Sequence, residues 1–156
     1  MSTIVPIAPD GSVWLLKRSL EKKLFPGLIT GIGGKVELTE GEGEDLEAAG
    51  RREWSEEVPQ LNGMLGKVQL RLVTHDTRED VIFVLLWFTV KLTVVPADAS
   101  CSEGVLLALD PSNLPLDDMI PTARKAIPFV LGLDEEDAAV YDGLFSPGLK
   151  DLLISK

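Results

Sequence analysis

The run Arg51-Arg52-Glu53-Trp54-Ser55-Glu56-Glu57 sets three carboxylates, Glu53, Glu56 and Glu57, at i, i+3 and i+4. On a helix that spacing makes them neighbours. Clustered carboxylate oxygens are hard donors suited to Mg²⁺ or Mn²⁺, ions that keep several waters and also take substrate phosphates. An acidic helix face is ordinarily a solvated one, with Arg51 and Arg52 as ion-pair partners, and the helical wheel decides between the two readings. At about 100° per residue, Leu46, Ala49, Gly50 and Trp54 form an apolar arc, with Glu47, Arg51 and Ser55 outside it. Glu53 and Glu57 fall inside the arc. A buried, uncompensated carboxylate is costly, and like charges one turn apart repel, so the arrangement calls for a counter-charge. Arg52 answers for one carboxylate and a divalent cation for the rest.

These side chains must be positioned by the elements around them. A helix is expected from Glu44 or Asp45, where negative charge complements a helix N-terminus, to a stop before Pro59. Upstream, Gly31-Ile32-Gly33-Gly34 has three glycines in four positions, which lets the backbone approach a ligand or another strand closely. Lys35 and Val36 continue it, and Glu37 to Gly43 reads as an acidic loop. Thr3 to Ala8 and Ser12 to Arg18, around Asp10-Gly11, read as a β-hairpin, and Ser19 to Thr30 as an exposed loop. Leu65 to His75 and Val81 to Leu92 are long strand candidates, the second apolar on both faces and so placed mid-sheet with cover on two sides. Pro96 to Gly104 reads as loop and Val105 to Leu109 as a short strand. Pro121 to Leu131 suits a second helix, with proline in its first turn and Gly132 just past its end. Val140 to Lys156 reads as a hairpin around Ser146-Pro147-Gly148. The sum is an α+β domain.

The chain has 156 residues, 45% apolar and 26% charged, the profile of a single globular domain spanning 1–156. Fifteen Lys and Arg against twenty-five Asp and Glu give a net charge of −10, which disfavours nucleic acid polymers and anionic membrane surfaces as partners. The longest apolar run, Val81 to Val90, is half of the roughly 20 residues a membrane-spanning helix needs. One cysteine, Cys101, and one histidine, His75, cannot make an intrachain disulfide or an imidazole–thiolate zinc site. With no secretory signal visible after Met1, a cytoplasmic location is expected.

Gly33-Gly34-Lys35-Val36, followed by Glu44, Arg52-Glu53-Trp54 and Glu56-Glu57, resembles the signature of the Nudix (MutT-type) hydrolases, G-x5-E-x7-R-E-U-x-E-E-x-G-U, where U is a bulky aliphatic residue. The spacing from Glu44 through Glu57 is met residue by residue, and Leu15-Leu16-x-Arg18 also fits. Gly34 stands ten positions before Glu44 instead of six, so Glu37 to Gly43 carries a four-residue insertion and Glu42 rivals Glu44. Pro59 replaces the glycine that ends the helix, and Trp54 the aliphatic residue.

The resemblance implies an α/β/α sandwich with a mixed sheet between helices and a Mg²⁺-dependent attack of water on a nucleoside diphosphate linkage. It implies Glu53 and Glu57 as metal ligands, Glu56 as ligand or base, Arg52 as the residue that orients a glutamate, Glu44 as a further catalytic carboxylate and the Gly33 carbonyl as a metal contact. Lys35, Arg18 and Gly34 are candidate substrate contacts. Glu103 lies where some relatives supply another carboxylate, although a plain loop glutamate fits equally well. His75 suits a polar strand end more than a base, and Cys101 lacks the basic neighbours of a nucleophile. Met119 to Phe129 looks like the purine-facing segment of enzymes that sanitise oxidised purine nucleoside triphosphates, with Thr122 and Ala123 in place of their two aspartates. The leading expectation is hydrolysis of a nucleoside triphosphate, such as 8-oxo-dGTP, to the monophosphate and pyrophosphate. The alternatives are another nucleoside diphosphate derivative (a nucleotide sugar, ADP-ribose or a dinucleotide) as substrate, or a silent nucleotide-binding regulator. The expected partner is the small nucleotide, with the chain a monomer or homodimer.

Overall fold

The structure, a computed structural model, describes residues 1–35, 38–39, 42–43, 45–98 and 100–156. Its strands are β1 (Ser2–Ile7), β2 (Val13–Arg18), β3 (Ile29–Thr30), β4 (Leu38–Thr39), β5 (Glu42–Gly43), β6 (Leu65–Arg78), β7 (Val81–Leu92), β8 (Ser100–Cys101), β9 (Gly104–Leu109), β10 (Tyr141–Phe145) and β11 (Leu152–Ser155). Helix α1 spans Leu46–Glu57 and α2 spans Pro121–Gly132. Among the described residues one mixed sheet runs in the order β11-β10-β6-β7-β1-β2-β9-β8, with β3 attached to β2. β1 lies parallel to β7, and β10 parallel to β6.

The period-2 alternation of the strands explains the layers. Ile4, Trp14, Leu16, Val90 and Leu106 point to the face where Trp54 of α1 is buried. Their neighbours Val5, Val13, Leu15 and Trp87 point to the opposite face, against Ala123, Ala126, Ile127 and Val130 of α2. The sheet is therefore covered by one helix on each side, the expected α/β/α sandwich.

The hairpin of β1 and β2 is real, but its register pairs only Ile7 with Val13 before the strands part. β1 instead pairs along its length with β7, from Ser2 opposite Leu86 to Ile7 opposite Lys91. The opening admits the glycine-rich stretch: Ile32 donates its amide to the Ile4 carbonyl at 2.9 Å. A Cβ on Gly31 would overlap the Ile4 carbonyl, and one on Gly33 the Ser2 carbonyl. Gly33→Ala is expected to force the β1 backbone aside and cost roughly 1–3 kcal/mol of stability, as overpacking does, readable as a lower denaturation midpoint. An unchanged midpoint would contradict this packing.

Several expectations shift. The stretches read as loops at 19–30, 37–43 and 96–104 contain the short pairings β3, β4 with β5, and β8, because two-residue strands carry no period to detect. β7 is central, yet Val81, Ile82, Phe83 and Val84 are exposed. The cover predicted for both faces is missing there, on the stretch of β7 that also lies beyond its pairing with β1, which begins at Leu86. β6 likewise runs three residues past His75, to Arg78. The tail does form an antiparallel hairpin of β10 and β11. Among the described residues no helix is long and apolar enough to cross a membrane.

Candidate active site

Helix α1 buries Ala49, Gly50, Glu53 and Trp54, so the inward arc of the wheel holds in its middle, while Glu57, also placed inside it, is only half-buried at the helix end. Leu46, placed inside that arc, is exposed, as is the whole first turn at 46–48. The helix meets the sheet from its second turn, where Gly50 lies over the Phe88 ring. At the other end the two unusual residues act together. Pro59 opens a 3-10 turn, Pro59–Leu61, and the turn presents the Leu61 carbonyl to the Trp54 indole N–H at 3.3 Å. A buried tryptophan thereby has its one donor satisfied.

The two arginines divide between the faces of α1. Arg51 pairs with Glu47 on the solvent side, Nη2 to Oε1 at 2.9 Å. Arg52 turns to the glutamates: its Nη1 lies 3.0 Å from Glu53 Oε1 and 3.0 Å from Glu56 Oε1. Its Nη2 donates to the Lys35 carbonyl at 3.2 Å, which ties the glycine-rich stretch to the helix.

Glu53 is the one buried carboxylate of the helix, 4% exposed. Gly34 covers it so closely that a Cβ there would overlap the carboxylate. Burial, above all, raises its pKa; Arg52 opposes this, while Glu56 and then Glu57 reinforce it. One arginine shared between two glutamates does not neutralise the group, which leaves a demand for positive charge of the kind a hard divalent cation meets. Among the described residues, however, no group of three or more acidic, imidazole or thiol side chains converges closely enough to hold a metal ion. The carboxylates divide between two places: buried Glu53, under Gly34, and exposed Glu56 share Arg52 Nη1, while half-buried Glu57 turns to the far side.

Glu57 Oε2 accepts from Ser102 Oγ at 2.9 Å and from Cys101 Sγ at 3.9 Å. Burial, and then the charge of Glu57, push the Cys101 thiol up to about 11, so at neutral pH it is a protonated donor and not a nucleophile. Ser102 is a residue the sequence did not reveal, since it stands 45 positions from Glu57 and a lone turn serine carries no motif.

The other candidates are placed as follows. Lys35 is exposed beside the glycine-rich stretch. The Ser2 amide donates to the Gly34 carbonyl at 2.9 Å, not to that of Gly33. Arg18 Nε donates to the Leu24 carbonyl at 3.1 Å and so shapes the loop after β2. Glu103 pairs with Lys22 of that loop. His75, read as a strand-end residue, lies inside β6, which continues to Arg78, and its Nε2 is 3.0 Å from Asp142 Oδ1 on β10. Thr122 and Ala123 are buried, Ala123 within the core beneath α2. Glu44 lies outside the described residues, and Glu42 is described only as part of β5.

The site thus consists of a buried, arginine-paired glutamate on one helix, backed by glycine and flanked by two further glutamates over a mixed sheet. The chain belongs to the Nudix family: the NUDIX domain model matches residues 2–128, and the protein is a pyrophosphohydrolase acting on acid anhydrides. Its fold is similar to the MutT protein of Bacillus halodurans, with 18% identity, a TM-score of 0.61 and coverage of 99% of this chain and 95% of that one. It is similar too to a NUDIX hydrolase of Nitrosomonas europaea, at 17% identity and TM-score 0.58 over 92% and 78% of the two chains. A third similar structure is the E. coli dihydroneopterin triphosphate pyrophosphohydrolase, at 17% identity and TM-score 0.51 over 85% and 94%. No curated protein sequence matches the chain.

Proposed function

We propose that the chain hydrolyses a nucleoside triphosphate to the monophosphate and pyrophosphate with Mg²⁺, or Mn²⁺ in its place, as cofactor. The observation that carries this reading is Glu53, a carboxylate buried between Gly34 and Arg52 with two more glutamates within one turn. A bound divalent cation supplies neutralisation of the charge that develops on the anhydride oxygens. Glu53, Glu56 and Glu57 are the residues that would hold it, with the Gly33 carbonyl as a backbone donor. Arg52 holds Glu53 and Glu56 at fixed positions through one guanidinium nitrogen. Glu56, the most exposed of the three, is open to water and on this reading serves as ligand or as the base that takes its proton. Lys35, exposed next to Gly34, and Arg18 supply positive charge for the phosphates, and Glu44 adds a further carboxylate.

On the leading reading the base is a purine, including an oxidised form such as 8-oxo-dGTP. A second reading, in which the substrate is a nucleotide sugar, ADP-ribose or a dinucleotide, is favoured by the burial of Thr122 and Ala123. Neither offers the carboxylate that would read a purine edge. A panel of nucleotides assayed with Mg²⁺ separates them: the first reading expects dGTP or 8-oxo-dGTP to turn over at least tenfold faster than ADP-ribose, with pyrophosphate as product. Equal or faster ADP-ribose cleavage would establish the second.

A further inference from the structure

Among the described residues β11 is the outer strand of the sheet, bonded to β10 on one side only. Its antiparallel register sets Phe145 against Leu152, Leu144 against Leu153, Gly143 against Ile154 and Asp142 against Ser155. The Ser146 amide donates to the Asp151 carbonyl at 3.0 Å in the same register, and bonded pairs alternate along an antiparallel ladder. The main chains of Leu153 and Ser155 therefore turn to β10, and the N–H and C=O groups of Leu152 and Ile154 point away from the sheet. Natural sheet edges are ordinarily blocked by charge, proline or a bulge. Leu152-Leu153-Ile154-Ser155 carries none of these. The pairings also line up Leu153, Leu144, His75 and Val84 on one face, with Leu153 65% exposed, Leu144 and Val84 exposed beside it, and the imidazole engaged by Asp142.

We infer that the chain forms a symmetric homodimer by antiparallel pairing of β11 with β11 of a second copy, which joins two sheets into one. A two-fold axis through Leu153 pairs Leu152 with Ile154 of the second copy, and the reverse, through their outward main-chain groups. Leu153 then meets Leu153 in the close, non-bonded position, and Asp151 meets the Ser155 hydroxyl with Lys156 one residue beyond. Apolar side chains face apolar ones and the acid faces a donor and a cation, so the strand is complementary to itself. Lys150, which would otherwise approach the Lys156 of the second copy, leaves the strand line at φ −70° and ψ −43°. Each copy carries a net charge of −10, and an uncharged edge lets two such copies approach with little repulsion.

The test combines sedimentation velocity with cysteine cross-linking of the full chain. Wild type should sediment as a dimer at micromolar concentration, and more tightly as salt screens the repulsion between copies. Leu153→Lys sets two like charges on the axis, and Ile154→Pro removes an outward N–H while sparing the bonds to β10. Both should sediment as monomers with the circular dichroism of wild type. In a Cys101→Ser background, Leu153→Cys should cross-link under mild oxidation, because the two Cα atoms lie about 4.5 Å apart, within disulfide range. Leu144→Cys, one strand further in on each copy and so roughly 14 Å from its counterpart, should not. A wild-type monomer at every concentration reached would overturn the inference, leaving the edge to a strand of another protein or to none. A dimer that persists in both Leu153→Lys and Ile154→Pro would overturn it too, since the contact would then lie elsewhere.

Discussion

Glu53→Gln is expected to lower the hydrolysis rate about a thousandfold while making the metal-free protein no less stable. On the proposed metal-dependent reading the rate loss would follow from replacing a charged ligand with a neutral amide of the same shape: a metal acting on a phosphoryl group stabilises its transition state by several kcal/mol, and about 4 kcal/mol corresponds to a thousandfold. The stability effect has the opposite sign because Glu53 is buried and its pKa is raised, chiefly by that burial. The folded chain then holds the Glu53 proton more tightly than the unfolded chain does. The site's contribution to stability is complete below the unfolded carboxylate range and is lost as pH rises through the raised folded value. At neutral pH and without metal the ionised carboxylate therefore opposes folding, and glutamine removes that opposition while Arg52 keeps Glu56 and the Lys35 carbonyl. Thermal unfolding in a chelator should place the variant at or above wild type, with the gap widening from acid to neutral pH. Added Mg²⁺ should raise the wild-type midpoint and leave the variant where it was. A variant that keeps a tenth of the wild-type rate, or that melts well below wild type in chelator, would remove Glu53 from the centre of the site.

Gly34→Ala should separate geometry from folding. Its added methyl would overlap the end of the Glu53 side chain, whereas the equivalent methyl at Gly33 would meet the Ser2 backbone carbonyl. A side-chain terminus can move and a strand backbone cannot do so cheaply. Gly34→Ala is thus expected to fold with a nearly native midpoint and to lose about a hundredfold in kcat, the usual cost of displacing a catalytic group by roughly 1 Å. Gly33→Ala should lose stability first. If Gly34→Ala kept full activity, the close cover of Glu53 by the glycine backbone would have no part in catalysis.

Much of this architecture is legible in the chain because it is written locally. The inward turn of Glu53 follows from helical periodicity across four apolar neighbours, and the strands β6 and β7 from long runs of alternating or continuous apolar residues. Leu46 misled the wheel because periodicity reports which residues share a face, not at which turn that face meets the sheet. Short pairings such as β3 and β8 were invisible for want of length, and the exposure of Val81 to Val84 depends on which elements pack over that end of the sheet, which β7 itself does not encode.

Order and spacing of residues alone settle the family signature, the single helix that carries the glutamates and the need for a counter-charge beside them, since each depends on separations of a few positions. The parting of β1 from β2 around the glycines, the cover of Glu53 by Gly34 and the grip of Ser102 on Glu57 come only from the folded chain. Each joins residues 19 or more positions apart, and such contacts exist only once the sheet has brought distant segments to within bonding distance.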